Sequence, residues 1–232
     1  MTDVADIDIA ANYARVSEQV AQAALRCGRR PEEITIVCAA KTKGAPAVRA
    51  ALAAGATTIG ENYVQEAQAK RAAVAATGEW HLIGHLQRNK AKTAVSLFSL
   101  IHSLDSIGLA RELDRQAKKQ GLTVRSLVEV RLGGEVTKTG LAVDDLGPLL
   151  ETVQTLPHLR VEGLMTIPPP GQPARHYFRR LARLRHEYAA MQAANISLRE
   201  LSMGMTNDYA PAIEEGATLV RIGRAIFGQR QS

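Results

Sequence analysis

The chain alternates two hydrophobic periodicities. Ile9, Tyr13, Val16, Val20 and Ala24 recur at helical spacing until Gly28 and Pro31 close the segment. The run from Ile34 to Ala40 is too short for a helix and rich in β-branched residues. It predicts a buried strand with Lys41 at its C-terminal end. The unit then repeats. The pattern predicts helices over 46–54, 63–76, 89–95, 107–120, 143–155, 175–194 and 208–215. It predicts further strands over 57–60, 80–83, 100–102, 123–130, 161–167, 198–202 and 219–222. Eight strands, each but the last followed by a helix, argue for a parallel sheet with right-handed crossovers. Such a set matches a single (β/α)8 TIM barrel, a fold of roughly 250 residues. The helix before the first strand is extra and stands in for the missing eighth. An open doubly wound sheet would want a GxGxxG turn after its first strand, where this chain has Lys41-Thr-Lys-Gly-Ala-Pro46. Nothing in residues 1–232 marks a linker, so one domain is expected.

Composition narrows the function. Hydrophobic residues at 46% and charged residues at 22% exclude disorder. No apolar run approaches the roughly 20 residues of a membrane helix. Asp3, Asp6 and Asp8 stand where a signal peptide would be basic and apolar. Two cysteines, Cys27 and Cys38, form neither a disulfide framework nor a CxxC pair, which predicts a reduced, cytoplasmic protein. The net charge of +6 permits phosphate or nucleic-acid binding, but 4% aromatics offer no platform for stacking bases. Arg175, Arg179, Arg180, Arg183 and Arg185 crowd one predicted helix; its apolar positions Tyr177, Leu181, Leu184, Tyr188 and Met191 make the arginines its solvated side. His81 and His85 lie four apart without the further ligands a zinc site needs, and read as core or rim histidines.

A parallel barrel gathers its chemistry at the C-terminal ends of its strands. There the sequence sets Lys41, Glu61 with Asn62, Gly84 with His85, Asp105, Arg131, Met165, the stretch Ser202–Thr206, and Arg221 with Gly223. A lysine at a buried rim, where desolvation disfavours the ammonium form, can attack an aldehyde as a neutral amine; it can equally snorkel outward or attract an anion. Ser202-Met-Gly-Met-Thr206 precedes a predicted helix and offers hydroxyls and backbone N–H groups to an anion, with Gly223 allowing the next loop to approach. Thr206 or Asp208 as a plain helix cap is the alternative. Arg221 shares a face of the last strand with Gly223 and needs an acceptor, either a carboxylate such as Glu61 or the ring nitrogen of a ligand. An aldehyde-binding lysine, a phosphate cup and a ring-nitrogen partner in one mouth suggest pyridoxal 5′-phosphate.

The ordered motifs Ala39-Ala-Lys-Thr-Lys43, Ile59-Gly-Glu-Asn-Tyr-Val-Gln-Glu66, Trp80-His-Leu-Ile-Gly84, Leu86-Gln-Arg-Asn-Lys90, Gly163-Leu-Met-Thr-Ile-Pro168, Leu201-Ser-Met-Gly-Met205 and Val220-Arg-Ile-Gly-Arg-Ala-Ile-Phe-Gly228 resemble the pyridoxal phosphate homeostasis protein family. The resemblance implies a barrel of the alanine racemase N-terminal type. It implies pyridoxal phosphate held as a Schiff base on Lys41, with phosphate contacts from Ser202, Gly204, Thr206, Gly223 and Arg224. It further implies Arg221 at the ring nitrogen, Asn62 beside the ring, and Lys138 in cofactor transfer. The chain departs from the family at Thr206-Asn207, often Ser-Asp, at Arg224, often threonine, and at His85, often proline. The family is regarded as regulating vitamin B6 pools without an established reaction. An arginine at the ring nitrogen weakens the electron sink, which points the same way. The chain also ends nine residues after Gly223, too soon for the second domain that supplies a racemase's opposing base. The expectation is a monomeric carrier serving pyridoxal-phosphate-dependent apo-enzymes and binding no nucleic acid. The alternative is a racemase or lyase using Lys41 with Tyr209 or His85.

Overall fold

The computed structural model describes residues 7–133, 139–191 and 193–229. Asp3, Asp6 and Lys138 lie outside the described residues. The strands are β1 (Thr35–Ala39), β2 (Thr58–Glu61), β3 (Glu79–Leu82), β4 (Leu100–Leu104), β5 (Val124–Glu129), β6 (Leu159–Met165), β7 (Ile196–Met205) and β8 (Leu219–Ile222). Each pairs in parallel with its neighbours, and β8 closes on β1 with Thr35 beside Leu219 and Val37 beside Arg221. The closed eight-stranded barrel is therefore the fold, and the open-sheet rival is excluded.

The helices alternate with the strands: α1 (Ile9–Arg26), α2 (Ala45–Ala53), α3 (Val64–Val74), α4 (Ala91–Leu97), α5 (Ile107–Lys119), α6 (Leu146–Gln154), α7 (Arg175–Glu187), α8 (Tyr209–Glu214) and the single turn α9 (Arg224–Phe227). α1 packs against α2, α8 and α9 and fills the gap in the helical ring, as the extra N-terminal helix was expected to do. Its buried face is Val16, Val20, Ala23 and Ala24, and Asp8 caps it by accepting the Ala11 N–H at 2.8 Å.

Two apolar layers result from the period-two alternation of the strands. The outward-facing residues, such as Cys38, Ile59, Leu82, Ile101, Val128, Leu164 and Val220, pack against the helices. Inside the barrel a small cluster of Val37, Ile83, Leu100, Leu127, Met165 and Leu219 fills the space. The interior also holds polar side chains, among them His81, His102, Ser202, Glu129 and Arg221, none more than 5% exposed. A barrel interior is ordinarily filled with branched apolar residues, so this polar set calls for a reason.

β7 runs on to Met205 rather than stopping at Ser202 as the sequence pattern suggests. The strand continues through an irregularity against β8, where Ser202 pairs with Leu219 but Met205 with Arg221. Gly204 makes this possible. Its φ of +89° suits a residue without Cβ, and a Cβ there would lie 2.6 Å from that of Ala212 on α8.

Candidate functional site

Lys41 follows β1 after a single residue, Ala40. The preceding Ala40 is pinned on both sides: its N–H donates to the Gly60 carbonyl at 2.9 Å, and its own carbonyl accepts from Lys70 Nζ at 3.0 Å. Thr42 then takes φ +64°, a left-handed conformation costly for a non-glycine residue, and the chain turns with the Lys43 N–H on the Ala40 carbonyl. This turn separates the two lysines of the motif. Lys41 lines a cavity of about 790 Å³ at the barrel mouth, whereas Lys43 donates to the Gln229 carbonyl at 3.1 Å.

That same cavity is lined by Asn62, Thr206, Arg221, Gly223 and Arg224. Asn62 follows β2, and its backbone is approached so closely by Gly84 that a Cβ on the glycine would lie 2.5 Å from the Asn62 carbonyl oxygen. Thr206 sits in the turn after β7. Asp208 shapes that turn by accepting the Met205 N–H at 2.6 Å, and makes no side-chain cap on α8. At Gly223 the end of β8 meets the end of β1, since a Cβ would lie 3.1 Å from the Ala39 carbonyl oxygen. Arg224 is exposed at the rim.

Arg221 forms part of the cavity wall from within the barrel. Its Nη1 donates to Ser202 Oγ at 2.6 Å and its Nη2 to the Thr166 carbonyl at 2.9 Å. Burial lowers its pKa to about 10, with Glu129 and Asp208 acting against the shift, so the side chain is a cation at neutral pH. The expected carboxylate partner Glu61 is not its acceptor. Glu61 alternates with the inward Gly60 and faces α3, where Lys70 pairs with it at 2.5 Å. Ser202 and Gly204 do not line the cavity. The Ser202 hydroxyl is fully buried beneath Arg221, and Gly204 serves the seat of α8.

Three polar residues, two buried and Lys70 nearly so, escaped the sequence reading. Glu129, at the end of β5, accepts from Thr139 Oγ1 at 2.9 Å. Burial raises its pKa, as does the nearby Asp105 carboxylate, while Arg221 and His85 oppose the rise. Alternation from the inward Leu127 would have placed it inside. The same alternation from the inward Leu100 would have placed His102 inside, though not its partner Ser202 a hundred residues away; Lys70, on a helix, had no such signal. His85 pairs with Asp105 at 3.1 Å and Tyr209 donates to Gln19 at 3.1 Å; neither lines the cavity. Among the described residues no cluster of His, Cys, Asp or Glu could hold a metal, and no helix is long and apolar enough to cross a membrane. α7 ends at Glu187 rather than running to 194; of the expected apolar positions Tyr177, Leu181 and Leu184 are buried on it, while Tyr188 and Met191 lie beyond its end and are half-buried. Arg175 and Arg179 pair with Glu214, the last residue of α8, and with Glu215 just after it.

The chain matches the family described as alanine racemase, N-terminal domain, over residues 9–231. It is 41% identical over 223 residues to the pyridoxal phosphate homeostasis protein of Pseudomonas aeruginosa, covering 96% of each chain. It superposes with a TM-score of 0.84 on PipY of Synechococcus elongatus PCC7942, solved with PLP bound, at 36% identity over 95% of this chain and 100% of that one. The alanine racemase of Bacillus anthracis shares the fold, with a TM-score of 0.68 and 18% identity over 97% of this chain and 57% of that one. A closed barrel whose mouth brings Lys41, Arg221, Thr206 and Gly223 to one cavity, together with near-full-length relatives, places this chain in the family of pyridoxal phosphate homeostasis proteins.

Proposed function

We propose that this protein binds pyridoxal 5′-phosphate at Lys41 and takes part in vitamin B6 homeostasis as a carrier. The observation that carries the reading is that Lys41, Arg221, Asn62, Thr206 and Gly223 line one cavity of about 790 Å³. The donor set fits the cofactor: an amine, a guanidinium, an amide, a hydroxyl and a strand end made close by glycine. When bound, pyridoxal phosphate supplies an aldehyde that condenses reversibly with an amine, releasing one water, and a ring able to withdraw electrons. Lys41 provides the amine. Arg221, a cation at neutral pH, would meet the ring nitrogen with an N–H that it does not yield as a proton, which would keep the electron sink weak. Thr206, Gly223 and Arg224 stand where an anionic tail would be held.

Retention rather than turnover is supported by the same geometry. Neither Tyr209 nor His85 lines the cavity, and both are engaged elsewhere. We assign no catalytic residue. Ile167 and Met205 line the cavity yet are 48% and 37% exposed, an apolar rim on which a recipient apo-enzyme can seat. The working form in this reading is a cytoplasmic monomer, in keeping with two free cysteines; burial lifts the Cys38 thiol to about 12, so it stays protonated and unreactive.

The test is the visible absorption of protein mixed with pyridoxal phosphate, followed by borohydride reduction and peptide mapping. Wild type and Lys43→Ala are expected to be yellow with the label on Lys41, and Lys41→Ala to be colourless yet folded. A label on Lys43, or an unchanged band in Lys41→Ala, would overturn the assignment. Turnover of an amino acid that disappears in Lys41→Ala would replace the carrier with the racemase or lyase.

A further inference from the structure

Beneath the mouth, a line of hydrogen bonds descends the barrel axis. Arg221 Nη1 meets Ser202 Oγ at 2.6 Å, Ser202 Oγ meets His102 Nδ1 at 2.9 Å, and His102 Nε2 meets His81 Nδ1 at 3.0 Å. His81 Nε2 then meets Glu79 Oε2 at 3.0 Å. The line starts at β8 and crosses β7 and β4 before ending on β3. Ser202 and His102 are completely buried and His81 is 2% exposed, while the Glu79 side chain is 55% exposed. Glu79 and His81 line a second cavity, of about 260 Å³, with Thr35, Thr58 and Arg125. All of these stand at or near the N-terminal ends of their strands, so that cavity lies at the opposite end of the barrel from Lys41.

The line has one direction that satisfies every member. A guanidinium only donates, so Ser202 Oγ accepts from Arg221, and its own hydroxyl proton must go to another acceptor. His102 Nδ1 is that acceptor, which leaves the His102 proton on Nε2, donated to His81 Nδ1. His81 then carries its proton on Nε2 and donates it to the Glu79 carboxylate. Were His102 to donate from Nδ1 instead, Ser202 would receive two donors and its buried hydroxyl proton would lose its acceptor. Burial holds the His102 pKa well below the ordinary histidine range, and the nearby Arg221 guanidinium acts in the same direction, so the imidazole is neutral and can play the accepting part.

We propose that His102, His81 and Ser202 are positioning residues for Arg221: a one-way hydrogen-bonded line, anchored at Glu79 on the far face of the barrel, aims the guanidinium at the ring of the bound cofactor. The inference rests on the pyridoxal phosphate reading for its consequence, but not for the line itself. A serine alone would satisfy one guanidinium N–H. The two histidines add a fixed tautomer, which decides where the Ser202 proton points and hence which Ser202 lone pair is left for Arg221. Packing alone would be served as well by leucine at both histidine positions.

Two measurements test it. In unliganded wild-type protein labelled with 15N-histidine, both His102 and His81 are expected as neutral imidazoles protonated on Nε2. A His102 proton on Nδ1 overturns the line whatever the cofactor does. In protein loaded with pyridoxal phosphate, His102→Leu is expected to shift the visible absorption maximum and weaken binding about tenfold. His102→Asn sets an amide oxygen near the place of Nδ1, restores the acceptor for Ser202, and is expected to return both readings most of the way. If His102→Leu folds and leaves band and affinity unchanged, or if His102→Asn is no better than leucine, the positioning role is refuted. Should His102→Leu not fold, the comparison of His102→Asn with Ser202→Ala decides in the same way, the first near wild type and the second shifted. Loss of the band in wild type would count against the cofactor reading and leave the tautomer result standing.

Discussion

Replacing Lys70 by methionine keeps the bulk of the side chain and removes one nitrogen that holds two things together. Lys70 Nζ donates to Glu61 Oε1 at 2.5 Å and to the Ala40 carbonyl at 3.0 Å, at the residue just before Lys41. The Glu61 side chain is fully buried, the Lys70 side chain is 10% exposed, and Glu61 Oε2 has no hydrogen-bond partner among the described residues. Among the described residues, Lys70 is the one cation in contact with the Glu61 carboxylate. Removing one partner of such a pair costs about 3–5 kcal/mol. The carboxyl can escape by taking a proton, which sets a ceiling. From an ordinary pKa of about 4.3, neutralisation at pH 7.5 costs roughly 4 kcal/mol, and at pH 5.5 only about 1.6 kcal/mol, at 1.36 kcal/mol per unit.

The sign follows from linkage. Burial already raises the Glu61 pKa in the wild type, with Lys70 opposing, so the folded state holds this proton more tightly than the unfolded chain. Stability from that group is present below the ordinary carboxylate range and is lost as pH rises through the folded pKa. Removing Lys70 takes away the opposing influence and extends the losing window upward. Lys70→Met is thus expected to be destabilised by about 3–4 kcal/mol at pH 7.5, with the gap to wild type no more than about 2 kcal/mol at pH 5.5. Adding Glu61→Gln is expected to recover most of the loss at pH 7.5, because the amide carries no charge. Urea denaturation followed by circular dichroism at both pH values gives each number. A gap below about 1 kcal/mol at pH 7.5, or one that does not change with pH, would refute the reasoning.

Two other substitutions probe the mouth. Gly84→Ala puts a Cβ 2.5 Å from the Asn62 carbonyl oxygen, backbone against backbone, so it is expected to destabilise the fold by about 1–3 kcal/mol and to weaken pyridoxal phosphate binding, read by denaturation and by titration of the cofactor band. Binding equal to wild type would show that Asn62 does not contribute to the site. Glu129 has a pKa raised chiefly by burial, so its stabilising contribution is lost as pH rises above the ordinary carboxylate range; Glu129→Gln is expected to flatten the fall in stability between pH 5 and pH 8 (values near the range set by carboxylate titration) seen in wild-type urea melts, and an unaltered slope counts against its burial as an acid.

The architecture was legible because it rests on local periodicity. Eight short apolar runs, most of them closed by a glycine, a proline or a charged residue, correspond to the eight strands, and the closure of β8 on β1 follows from the barrel that such repetition implies. Position in the barrel also pointed to Lys41, Asn62, Thr206, Arg221 and Gly223, and the family resemblance added Arg224; all six line one mouth. The reading was weaker where a residue's face mattered more than its place in the chain. Glu61 and Arg221 both stand at strand ends and carry opposite charges, yet they point to opposite sides of the barrel wall. Ser202 was expected to end its strand and open an anion-binding stretch, whereas the strand continues to Met205 and buries the hydroxyl.

These departures share one cause. A barrel filled by branched apolar residues needs no information beyond alternation, so its sequence announces its interior. Here the interior beneath the mouth is partly polar, and a polar group in a dry site is tolerated only with partners in place. His102 finds Ser202 a hundred residues away and Lys70 finds the carbonyl before Lys41 thirty residues away, contacts that no local pattern encodes. Each contact stands one step from a group that matters for the cofactor reading: Lys70 holds the carbonyl just before Lys41, and His102 holds the serine that accepts from Arg221. The polar interior is therefore best explained by the site above it: supports for Arg221 occupy inward positions where simple packing would call for leucine or valine, while Lys70 supports the end of β1 from the helix side of the barrel wall.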